Sequence, residues 1–66
     1  MTTIYLPKPW IEKLVQLPES GMGYQRVNIR LKHGKVLRDV TVLNAEEAQV
    51  SEAFEPADIL SVELAR

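Results

Sequence analysis

With 66 residues and no cysteine, the chain has room for one small domain, residues 1–66, with no disulfide framework, thiolate nucleophile or zinc–thiolate site. No apolar run approaches the roughly 20 residues of a bilayer span and the N-terminus lacks a leader pattern, so a cytoplasmic chain with no membrane partner is expected. The formal net charge of −1 hides a split, since residues 1–40 carry seven Lys or Arg against three acids and residues 41–66 one Arg against six acids.

Thr2 to Leu6 reads as a short strand. The first clear element is a helix over Pro9–Leu17, where Trp10, Ile11, Leu14, Val15 and Leu17 form one apolar stripe opposite Glu12, Lys13 and Gln16. Pro9 suits the first helical position and Pro18 ends the run. At under three turns such a helix has to lie on an apolar surface to persist. The connector SGMGYQR, residues 20–26, pairs glycines as a phosphate cradle does. It nevertheless follows a helix and precedes a strand, the reverse of a phosphate loop. It is therefore expected to be a bend, with positive φ at Gly21 or Gly23 and Met22 tucked in as a plug.

The strongest signal is a strand over residues 24–32, in which Val27, Ile29 and Leu31 alternate with Asn28, Arg30 and Lys32. His33 and Gly34 break it with a tight hairpin turn. A second strand over residues 35–43 has imperfect alternation: Val36, Val40 and Val42 share a parity on which Arg38 also falls. Either Arg38 sits at the rim, or a bulge near Arg38 and Asp39 resets the register and turns Leu37 inward with Val40 and Val42; the bulge is the preferred reading. Asn44 to Glu47 fits a capping box that opens a short helix, or a turn into a strand over residues 49–51. The turn and strand are preferred, because Val50 and Phe54 are the only sizeable apolar residues there. Pro56, Ala57 and Asp58 form another turn. A last strand over residues 59–65 is expected to point Leu60, Val62 and Leu64 inward, with Ile59 packing at the end of the core.

The expected class is mainly β, a short N-terminal helix followed by a bent antiparallel meander closing into a small barrel. The stretch VNIRLKHGKVLRDVTVLN resembles the first half of an Sm-like domain, and the layout as a whole resembles SH3-like barrels. From LPESGMGYQ through DILSVELAR the chain is also similar to small bacterial proteins of unassigned function. The Sm-like resemblance implies a ring-forming homo-oligomer whose strand edges pair between subunits and whose loops bind single-stranded RNA. In that likeness Asn44 and His33 lie nearest the RNA-contacting loops. The chain departs from the pattern at Arg38-Asp39, where a small residue is usual, and at FEPADILS, which has no basic residue in the last hairpin.

His33 is the only histidine and belongs to a turn, so neither a metal centre nor a catalytic triad finds its ligands or its base. Glu46, Glu47, Glu52, Glu55 and Asp58 match no calcium loop and read as a solvated edge. No enzyme activity, cofactor or metal is expected. Two binding readings remain. Tyr24, Arg26, Arg30, Lys32, His33, Lys35 and Asn44 could hold nucleic acid, the outward cations neutralising phosphates and the tyrosine stacking one base. Edge cations also serve simply to prevent aggregation, and the charge split equally describes strands or protomers joined through opposite charge. An assembly or protein-interaction role is therefore preferred. Its interface would include Leu60, Val62 and Leu64 of an unpaired last strand, and Trp10 if that residue is an exposed anchor instead of part of the core.

Overall fold

The computed structural model describes residues 2–65. Strand β1 (Thr2–Tyr5) leads into helix α1 (Lys8–Leu14), and strands β2 (Tyr24–Leu31), β3 (Val36–Leu43), β4 (Glu47–Val50) and β5 (Ile59–Leu64) follow. They form one antiparallel sheet in the order β1-β4-β3-β2-β5. The mainly β class with one short helix is as expected. The barrel is not closed: β1 pairs only with β4 and β5 only with β2, so the sheet keeps two edges. Before β5 the chain makes a single 3₁₀ turn, Pro56–Asp58.

Helix α1 stops three residues short of the expected Leu17. Its last turn tightens instead, with Gln16 N–H and Leu17 N–H donating to the carbonyls of Lys13 and Leu14, at 3.2 and 3.0 Å. A residue preceding proline is pushed out of helical geometry, so Pro18 ends the α-helical pattern early. Leu14 is the only helix residue buried in full, while Trp10, Ile11 and Leu17 pack part-buried against the core. That core is the inner sheet face: Val27, Ile29 and Leu31 of β2, Val40 and Val42 of β3, Ala48 and Val50 of β4, Ile59 and Val62 of β5.

Two bulges set the faces. Val27 pairs with Val40 but Ile29 with Leu37, so Arg38 and Asp39 together oppose Asn28. This is the bulge read from the broken parity, and Leu37 packs on the core as expected. The second bulge was not foreseen: Arg30 pairs with Ser61 but Leu31 with Ile59. Leu60 is the extra residue and is 52% exposed, not inward. Ile59 takes the buried place, and Leu64 packs half-buried at the other end of the strand.

The turns explain the remaining boundaries. Gly34, at φ 89, closes a three-residue hairpin loop in which its N–H donates to Leu31 O, 3.0 Å. Nothing lies within 4 Å of the place a Cβ would take, so Gly34→Ala tests backbone conformation alone. It should cost about 1 kcal/mol in denaturant unfolding, and an unchanged midpoint would contradict this reading. In the connector, Gly23 carries the positive φ of 81 while Gly21 lies under the Tyr24 ring, where a Cβ would collide with the ring atoms. Met22 is not a plug; at the tip of this turn it is 99% exposed. The β3–β4 turn places Asn44 and Ala45 consecutively in the left-handed region, φ 52 and 62. Strand β4 then starts at Glu47, two residues earlier than expected, because Leu43 and Tyr5 both find their partner there.

Candidate functional site

The residues expected to bind nucleic acid lie along β2 and at its two ends. Arg26 and Arg30 point to the outer face, and Asn28 between them is half-buried. Lys32, His33 and Lys35 belong to the hairpin turn at one end, all exposed. Tyr24 and Asn44 sit at the other, joined through the pairing of Tyr24 with Leu43 and the Asn44 N–H to Gly23 O bond of 3.0 Å. An eight-residue strand separates these groups by about 24 Å, so they share one face without converging on one site.

Acids cancel much of the cationic ladder. Arg26 pairs with Asp39, Lys35 with Glu52, and Lys13 of α1 reaches round the sheet edge to Glu63. Two of these three pairs join a cation of the first forty residues to an acid of the remainder, so part of the charge split is satisfied inside the chain. Arg30, Arg38 and Lys32 have no acidic partner among the described residues. Tyr24 is a poor stacking platform, because its ring already covers Gly21.

Arg38 owes its position to the bulge. Asn28 Oδ1 accepts the Asp39 N–H at 3.0 Å, and the Arg26 guanidinium binds the Asp39 carboxylate, which together hold Asp39 at φ 58. The parity break had pointed to Arg38 as misplaced in the strand; that the bulge would bring it beside Arg30 had no signature in sequence.

Gln25 is the second residue that sequence reasoning missed. It shares the inward parity of β2 and is only 3% exposed. Its Nε2 donates to the carbonyls of Leu14, Leu17 and Pro18 at 2.9, 3.2 and 3.3 Å. The two amide hydrogens are thereby shared among carbonyls at and just beyond the end of α1, of which Leu14 O also accepts Leu17 N–H, and tie the helix to the sheet. An open cleft of about 460 Å³ lies beside it, lined by Leu14, Val15, Tyr24, Asn44 and Ala45 among others.

The interface residues fall into two groups. Trp10 packs part-buried on the core with the Lys13 ammonium 5.8 Å from its ring centroid, so it is not an exposed anchor. Val62 is wholly buried within the chain and offers a partner no side chain, whereas Leu60 is available on the β5 edge. On the opposite edge Tyr5 is 68% exposed. No helix is long and apolar enough to cross a membrane, and no group of three or more His, Asp or Glu gathers among the described residues. Comparison with protein-family models, curated proteins and solved structures finds no match for the chain.

Proposed function

We propose that the chain is a protein-interaction module that assembles with copies of itself through its sheet edges. The observation that carries this reading is the open sheet, whose edge strands carry no lysine, arginine or proline to block pairing, although β1 is only four residues long and β5 is bulged at Leu60. Strand β1 has no charged residue, and the one charge of β5, Glu63, is engaged by Lys13. Each edge has an exposed apolar side chain, Tyr5 or Leu60. The sheet is also polarised: Glu47 stands beside β1 without a cationic partner among the described residues, and Arg30 stands beside β5 without an acidic one. Joining β5 of one copy to β1 of the next continues the ladder between copies, with Arg30 and Glu47 three strand spacings, about 14 Å, apart on either side of the junction. The bent β2–β3 hairpin supports the likeness to Sm-like and SH3-like domains as part of this reading. Nucleic-acid binding along the whole basic strand is the weaker reading, because Arg26 and Lys35 are spent on acids.

Light scattering on nucleic-acid-free protein should give a defined multiple of the chain mass. Leu60→Lys, which places a cation on the β5 edge without touching the core, should return the protein to a monomer. A monomer for the parent chain at every concentration from micromolar to millimolar would overturn the proposal.

A further inference from the structure

Simple alternation would send Arg38 to the inner face of β3; the bulge against Asn28 carries it outward instead. Maintaining that bulge holds a non-glycine residue, Asp39, at φ 58, a conformation that persists only where its surroundings enforce it. The result is that Arg38 and Arg30, on adjacent strands, line one depression of about 150 Å³ with Asn28, Val36, Ser61 and Glu63. The two are diagonal neighbours, Arg30 pairing with Val36 while Arg38 opposes Asn28, so the like charges share one stretch of the outer face. Neither arginine has an acid within ion-pair distance among the described residues, while the Glu63 carboxylate is taken by Lys13.

Apart from the Glu63 carboxylate, which pairs with Lys13, the other polar groups of the depression can donate as well. Asn28 commits its carbonyl oxygen to Asp39 N–H, and its amide hydrogens have no partner among the described residues. Ser61 adds a hydroxyl opposite Arg30. Two guanidinium forks, an amide and a hydroxyl, set on three neighbouring strands, suit the several oxygens of a tetrahedral oxyanion better than the planar pair of a carboxylate. No aromatic residue lines the depression, so it has nothing on which a nucleobase would stack. We propose that Arg30, Arg38, Asn28 and Ser61 form a binding site for one phosphate group of a small ligand on the outer face of the sheet.

Inorganic phosphate titrated into ¹⁵N-labelled protein at constant ionic strength should produce saturable shifts at Asn28, Arg38, Asp39 and Ser61. The dissociation constant should be on the order of a few millimolar for so small and exposed a ligand. Arg30→Gln and Arg38→Gln should each weaken binding by about tenfold. Lys32→Gln, which removes a cation outside the depression, should change it by less than about twofold. Glycerol phosphate binding as well as inorganic phosphate would assign a phosphomonoester; weaker binding would assign the free ion. All three substituted side chains are exposed, and unshifted core resonances would verify that each variant is folded. Linear shifts reproduced by acetate or chloride would overturn the proposal. So would a loss with Lys32→Gln equal to that with Arg38→Gln, or tight binding of a single-stranded oligonucleotide that depends equally on Lys32 and Lys35.

Discussion

Replacing Gln25 by Ala should destabilise the protein by about 2–4 kcal/mol, the sum of lost hydrogen bonds to buried carbonyls and a small cavity. The three acceptors, Leu14 O, Leu17 O and Pro18 O, end a helix that has no other side-chain cap at that terminus. For a chain of 66 residues whose whole stability is roughly 3–10 kcal/mol, such a loss is a large share, and denaturant unfolding would measure it. A drop below about 0.5 kcal/mol would show that water replaces the amide at little cost. Gln25→Glu separates hydrogen bonding from volume. Ionised, the introduced carboxylate can only accept and faces carbonyl oxygens; protonated, it can donate to one of them. Its folded pKa should therefore lie above the unfolded value. The sign follows: this variant should be most stable below the unfolded carboxyl pKa and lose stability as pH rises through the folded one. The parent protein should not share that added loss over the same range.

Leu14→Ala should cost about 3 kcal/mol, within the range for large-to-small changes at fully buried sites. Leu14 is 1% exposed and is the one wholly buried side chain of a seven-residue helix. So short a helix has no independent stability. Removing its anchor should loosen α1 as a unit, seen as faster amide exchange at Val15, whose N–H bonds to Ile11 O at 3.0 Å, while the β2–β3 ladder keeps its protection. Because Gln25 and Leu14 dock the same element, their effects should not add. The double variant should lose less than the sum of the single losses by about 1 kcal/mol, measured in a double-mutant cycle. Full additivity would mean that the amide and the leucine act on separate parts of the fold.

Much of the architecture was legible from local pattern. The alternation of Val27, Ile29 and Leu31 specified β2 and its buried face. The glycine after His33 located the hairpin turn, and the misplaced parity of Arg38 announced the first bulge. Each of these depends on backbone stereochemistry or side-chain period, which act over a few residues. The second bulge at Leu60 had no such mark. Its strand alternates well in sequence, and only the fixed positions of Leu31 and Ile59 in the core require an extra residue between their pairs. Met22 misled, and Ala45 gave no signal, for a related reason. An apolar side chain at a turn tip looks buried in sequence, and an alanine gives no warning of a positive φ that the β3–β4 turn imposes on it.

The candidate site was legible as a set of charges and not as a geometry. The sequence by itself determined a mainly β chain with one marginal helix, a two-part charge distribution, and a basic outer face on β2, since composition and period suffice for these. Tertiary structure alone decided that the sheet stays open at β1 and β5, that Gln25 ties down the helix end, and that Arg26 and Lys35 are paired with acids while Arg30 and Arg38 line one depression. The physical reason is range. Ion pairs and edge exposure depend on which distant segments meet, and those meetings are set by the register of strands as far apart in sequence as β1 and β4, or β2 and β5.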